Sequence, residues 1–341
     1  MLPNPLTPVM QEFASYLSML EYKRPARSKH EQKFINRYLG PWDMNVDAYG
    51  NHYHIINNPD GSKPRVLWSS HVDTVHHVSG KQSLEMWDSK GSTYVGTSGI
   101  DCLGADCTTG VWLMLELMKS GKAGLYIFHR DEEIGALGSI WIAKNTYELL
   151  DGIDFAIAFD RKGTTNIITK QMGQTCCSDV FASSLSNQLC RGNIALPIYY
   201  ADSTGAYTDT YSYIDIIPEC TNISVGYYDQ HSNKEIQDLG HMAYLLDALI
   251  KLDIDALVKH RDPHAYKLTP KLTPNWFKAS RVYENDPWDN DNDNDFLRDY
   301  EGYGEPVDEA DMVELVTYSP TQAAKLLIRL GATIQDLLDI S

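Results

Sequence analysis

The feature that most constrains this chain is a recurring alternation of short apolar runs with longer helical segments. Val66–Leu67–Trp68, Leu125–Tyr126–Ile127–Phe128, Phe155 to Phe159 and Ile223–Ser224–Val225 read as buried strands. Gly110 to Lys119 and Ser139 to Leu150 read as helices, the first with Thr108 and Thr109 as caps. Asn233 to His260 reads as one long helix with acids early and bases late. Pro8 to Leu39 reads as one or two amphipathic helices broken near Pro25. This alternation predicts an α/β domain: a mostly parallel mixed sheet with helices on both faces. In such sheets ligand sites gather where strands end, and the polar clusters of this chain fall just after its expected strands.

Beyond His260 the pattern stops. Pro263 to Pro274 is proline-bearing, and Trp288 to Asp295 spells WDNDNDND, a solvated low-complexity run. The expected division is a main domain over 1–262, an acidic linker over 263–305 and a small helical tail over 306–341, with Pro320 between its two short helices. Charge follows the same division. The net charge is −17, and residues 282–341 carry fifteen acids against Arg298, Lys325 and Arg329, a net of −12. Such a balance argues against nucleic acid as a partner, which needs clustered Lys and Arg. No stretch approaches the ~18 apolar residues of a membrane span, so no membrane partner is expected. Met1 to Ser18 lacks a basic start leading into an apolar run, so no secretory signal is expected either. Six cysteines without a CxxC pair are expected to be reduced thiols, and the chain to be cytoplasmic.

Five polar clusters follow one another: His71-Val-Asp73, Gly104-Ala-Asp106, Asp131-Glu132-Glu133, Asp160 and His231-Ser232. Each alone has a plain reading. The acidic triplet can decorate a helix N-terminus, Asp106 can cap a helix, and His231 can be an ordinary surface residue. Together they supply what a two-metal hydrolase requires. Each zinc takes imidazole or carboxylate ligands, two ions ~3.5–4 Å apart share a bridging carboxylate, and an unligated carboxylate accepts and returns a proton.

The run Ser70-His71-Val72-Asp73-Thr74-Val75, then Leu103-Gly104-Ala105-Asp106, then Asp131 to Ser139 (DEEIGALGS), resembles the co-catalytic di-zinc exopeptidases. The branch it resembles most is that of peptidase T, aminoacylase and glutamate carboxypeptidase. Asp47-Ala48-Tyr49-Gly50-Asn51, Asp160 and Tyr228-Asp229-Gln230-His231-Ser232 are similar to further segments of that branch, so the resemblance covers about residues 8–260. It implies His71, Asp106, Glu133, Asp160 and His231 as ligands of two divalent ions, zinc foremost and cobalt or manganese as alternatives, with Asp106 bridging. It implies Glu132 as general base and later acid, and Asp73 as the group that orients His71.

Two departures from the family pattern stand out. Cys107 and Thr108 occupy positions where the family usually carries an acid and a lysine. Only 71 positions separate Asp160 from His231, which leaves no room for the lid domain of ~100 residues that peptidase T inserts there. The architecture is therefore expected to resemble the lidless zinc aminopeptidases. Because that lid often supplies an arginine for a substrate carboxylate, its loss favours an aminopeptidase or dipeptidase acting on a peptide. An amidohydrolase acting on an acylated amino acid uses the same ligands, and a metal-binding relative without activity is the third reading, against which Glu132 speaks. Thr208-Asp209 faintly resembles a substrate-side loop, with turn formation as its simpler use.

Overall fold

The computed structural model describes residues 11–264. The linker and tail expected beyond residue 262 lie outside the described residues from 265 onward. The N-terminal part holds helix α1 (Ala14–Leu20) and helix α2 (Lys29–Tyr38), with the break near Pro25 where the sequence placed it. Ser28 caps α2 by accepting a hydrogen bond from the Glu31 backbone N–H.

Strands β1 (Asn45–Val46), β2 (His52–Ile56) and β3 (Val66–His71) follow, then a hairpin of β4 (Leu84–Ser89) and β5 (Ser92–Thr97). Helix α3 (Ala105–Lys119) leads to β6 (Gly124–His129), helix α4 (Leu137–Asn145) and β7 (Phe155–Arg161). The rest comprises β8 (Asn166–Ile168), helix α5 (Asp179–Gly192), β9 (Tyr200–Asp202), β10 (Glu219–Ser224), β11 (Tyr227–Tyr228), β12 (Ile236–Asp238) and helix α6 (Leu239–Lys251).

Eight strands form the central sheet in the order β9-β8-β10-β7-β3-β6-β2-β1. Its middle, β10-β7-β3-β6, is wholly parallel. The flanking pairs β8–β10, β2–β6 and β1–β2 are antiparallel, so the sheet is mixed as the strand pattern predicts. Both of its faces are covered, and the side chains divide with the strand period of two. Trp68, Tyr126, Phe128, Phe155, Ile157 and Phe159 join the core beneath α1, α3, α5 and α6. Leu67, Leu125, Ile127 and Ala156 join a second core with Ile142 of α4 and Tyr213. Between Asp160 and His231 the chain returns to the sheet through β8, β9 and β10, and no separate lid is inserted among the described residues.

Three local expectations are corrected. The long helix expected over Asn233 to His260 is shorter: Ile236–Asp238 is a strand paired with Tyr94 and Val95. Asp238 then caps α6 by accepting from the His241 N–H, and the helix ends at Lys251. Pairing with a strand some 140 residues earlier overrides local helical preference there. Thr108 and Thr109 are not caps: no side chain caps the start of α3, and both hydroxyls donate to other groups instead of accepting helix N–H groups. Thr108 donates back to the Gly104 carbonyl, and Thr109 donates to Gln237 Oε1 at 2.7 Å. The helix read over Ser139 to Leu150 is α4 followed by a separate 3-10 turn, Tyr147–Leu150.

The six cysteines are unpaired, five of them buried. Among the described residues no helix is long and apolar enough to cross a membrane.

Candidate active site

The C-terminal ends of β3, β6 and β7 converge on one cluster. His71 is the last residue of β3, Asp131 to Glu133 follow β6, and Asp160 lies near the end of β7. The first turn of α3 brings Asp106, and the segment after β11 brings His231. The helix can approach this closely because residue 110 is glycine. A Cβ there would lie 2.6 Å from the Phe159 carbonyl oxygen and from Ser70 Oγ.

Asp106 lies between two imidazoles. Its Oδ1 is 3.2 Å from His71 Nε2 and its Oδ2 is 3.2 Å from His231 Nε2. Asp160 Oδ1 is 3.6 Å from His71 Nε2, and Glu133 Oε2 is 3.5 Å from His231 Nε2. Glu132 Oε2 approaches His71 Nε2 at 3.9 Å. All six of these side chains, drawn from five separate segments, therefore meet. His71 is 1% exposed, whereas the His231 side chain is 48% exposed. The cluster is thus sealed behind His71 and open at His231.

Asp73 contacts both His71 and the acidic triplet. His71 Nδ1 lies 3.1 Å from the Asp73 backbone carbonyl and 3.4 Å from its carboxylate. The same carboxylate accepts the backbone N–H of Glu132 at 3.2 Å and of Glu133 at 3.0 Å. It therefore holds the Glu132–Glu133 segment as well as His71. Asp131, the third acid of the triplet, turns away to Arg27 Nε at 2.9 Å and Tyr49 OH at 2.6 Å.

The electrostatics are those of crowded acids. Burial, with Glu133, Asp160 and Asp209 nearby, pushes Glu132 well above the carboxylate range. Burial and then Asp106 push Asp160 up to about 7. Burial opposes protonation of His231, but Glu133 and Asp106 outweigh it and push the imidazole up to about 12. Burial likewise opposes protonation of His71, while Cys107, Asp106, Asp160 and Asp73 hold it well above its ordinary value. Positive charge is favoured at both imidazoles because buried carboxylates outnumber them. Glu133 Oε1 is also buried without a hydrogen-bond partner. Imidazole nitrogens and carboxylate oxygens facing one small volume, with surplus negative charge and an orphaned acceptor, fit divalent cations. Three groups of side chains lie close enough to hold one: His71, Cys107 and Asp160; His71, Glu132 and Glu133; and Asp106, Glu133 and His231.

Other contributors surround the cluster, among them the Thr208-Asp209 pair that the sequence marks only faintly. Thr208 Oγ1 donates to Asp160 Oδ2 at 2.6 Å, and Tyr227 OH donates to Asp160 Oδ1 at 3.3 Å. Asp209, next to that threonine, is 1% exposed and lies 3.4 Å from His129 Nδ1. Burial, then Asp73 and Asp160, push Asp209 up to about 8. Glu235, four residues past His231, is buried and grips the Asp106 segment. No local spacing announces Tyr227 or Glu235.

No protein-family profile and no curated sequence matches the chain. Solved structures do match. A tripeptidase from Staphylococcus aureus, 14% identical, covers 72% of this chain and 97% of its own with a TM-score of 0.57. The aminopeptidase PepT from Bacillus cereus, 12% identical, covers 70% and 96% with a TM-score of 0.55. A TET aminopeptidase from a marine sediment archaeon, 14% identical, covers 72% and 98% with a TM-score of 0.51. At such identities the likeness concerns the fold alone, and it agrees with the fold the motifs point to: the chain shares the fold of these peptidases.

Proposed function

We propose that this chain is a metal-dependent peptidase, an exopeptidase that removes residues from the amino terminus of a peptide or splits a dipeptide. The observation that carries the reading is the single Asp106 carboxylate whose two oxygens face His71 and His231 separately. Asp160 completes the His71 side and Glu133 the His231 side. Zinc is the cation this mixture of imidazole and carboxylate suits first, with cobalt or manganese as alternatives. Two such ions supply Lewis acidity toward a carbonyl oxygen and make a nearby water a stronger acid.

The chain's own residues supply the remainder. Glu132 Oε takes a proton from the attacking water and delivers it to the departing nitrogen, so the peptide C–N bond breaks with a C–O bond formed and no net proton change at Glu132. Asp73 holds the Glu132 and Glu133 backbone so that the two side chains serve different partners. Peptide enters on the exposed His231 side. The acid-rich surroundings favour a substrate's free ammonium over a free carboxylate. Arg27, Arg130 and Arg161, three cations beside these segments, are already paired with Asp131, Glu31 and Asp202.

The test is release of free amino acids from a mixed peptide library, with and without chelator and after zinc is restored. Metal-dependent release that shortens peptides from the amino end is expected. Absence of any release, by a chain that carries zinc and cleaves acylated amino acids instead, overturns the peptidase reading.

A further inference from the structure

Glu235 lies outside the ligand cluster, yet it is 1% exposed and both of its carboxylate oxygens are engaged. Oε2 accepts the Gly104 backbone N–H at 2.8 Å, and Oε1 accepts the Asp106 backbone N–H at 3.0 Å. Those two amides bracket the turn that delivers Asp106. Gly104 has φ +75, and Asp106 and Cys107 depart from helical geometry although they lie within α3. This segment therefore lacks a regular helix to hold it. At the other end, the Glu235 N–H donates to the Ser232 carbonyl at 3.1 Å, closing a turn directly behind His231, itself at φ +61. One buried side chain thus ties together the two non-regular segments that carry Asp106 and His231.

On the reading of the site given above, we infer that Glu235 is a positioning residue: its bidentate grip on the Gly104 and Asp106 amides sets the bridging carboxylate between His71 and His231. A carboxylate suits this task because both oxygens accept, so two inward N–H groups are satisfied by one side chain. An amide in its place offers one acceptor and sets its NH2 against an N–H. The Asp106 backbone then rotates away from that donor, and its two oxygens no longer face both imidazoles. Because the bridge serves both ions, both weaken together, whereas loss of His231 weakens one.

The experiment is a zinc competition titration against a chromophoric chelator on the full chain as wild type, Glu235→Gln and His231→Ala, beside thermal melts of each metal-free protein. Glu235→Gln is expected to lower affinity for both ions by roughly 10- to 100-fold, the usual effect of removing a group that orients a ligand. His231→Ala is expected to leave one tight site. Should Glu235→Gln not fold, Glu235→Asp takes its place, since the shorter carboxylate reaches only one of the two amides. A folded Glu235 variant that melts lower but binds both ions as tightly as wild type overturns the inference and makes Glu235 a structural residue only. A wild-type chain that takes up no zinc overturns the two-ion reading, and this inference with it.

Discussion

Neighbouring residues in a turn point in different directions, and Glu132 and Glu133 use that difference. Glu133 approaches His231 at 3.5 Å, while Glu132 approaches His71 at 3.9 Å. Substituting glutamine at each position separates proton transfer from ligation. Glu132→Gln keeps the shape and is expected to retain both ions while turnover falls roughly 10²- to 10⁴-fold. Glu133→Gln exchanges an anionic ligand for a neutral one, so zinc affinity falls first, and excess zinc restores part of the rate. Metal content and rate measured across a zinc titration decide between them; near-wild-type turnover in Glu132→Gln would defeat the mechanism. The candidate ligands are legible in the sequence because their motifs are local: His71-Val-Asp73, Gly104-Ala-Asp106 and Asp131 to Glu133 are short runs. The grip of Asp73 on the Glu132 and Glu133 amides, 59 and 60 positions away, leaves no such trace. Neither does the grip of Glu235 on Asp106, 129 positions away.

At the scale of elements, the parallel strands β3, β6 and β7 are legible because each is a short apolar run flanked by polar residues. The hairpin β4–β5 is not, since its faces are only partly buried and its residues read as mixed polar sequence. Strand β12 is hidden for another reason. Its three residues continue into the apolar pattern of α6, and pairing with β5 and β11 makes them extended. Helix α6 carries a buried histidine that gives it a pH dependence. Tyr199 OH donates to the Ser224 carbonyl at 2.6 Å and lies 2.9 Å from His241 Nε2, so the imidazole proton sits on Nε2. His241 Nδ1 is buried without a hydrogen-bond partner. Burial pulls this imidazole down to about 4. A histidine whose folded pKa is depressed is neutral in the native chain, while the unfolded chain takes up its proton near pH 6.5. Its contribution is therefore complete above pH 6.5 and is lost as the pH falls from there toward 4. The loss amounts to at most about 3 kcal/mol by the usual conversion of pKa to free energy. Urea melts of the wild type and of His241→Leu at pH 7.5 and pH 5 test this. The wild type is expected to lose more stability than the variant over that interval, and equal losses would remove His241 as the cause.

For the whole molecule, the candidate ligands span residues 71 to 231 and come from five segments that only the folded sheet brings together. On the reading proposed above, zinc is expected to bind the native chain far more tightly than the unfolded one and to raise the melting temperature. A single site held at a free zinc concentration 100-fold above its dissociation constant adds about 2.7 kcal/mol. The acidic residues 282–341 contain none of these ligands, although their net charge of −12 attracts cations loosely. Loose attraction to a run of acids is screened by salt, whereas coordination by converging ligands is screened much less. A chain ending at Arg281 is therefore expected to show the same zinc-induced shift as the full chain in 0.3 M sodium chloride. In low salt the full chain is expected to take up additional weakly held zinc that the shortened chain does not. Differential scanning calorimetry with and without zinc, at both salt concentrations, separates the two contributions. If the shortened chain folds but no longer gains stability from zinc in high salt, the ions are held by the acidic C-terminal residues and the His71–Asp106–His231 cluster is not their site.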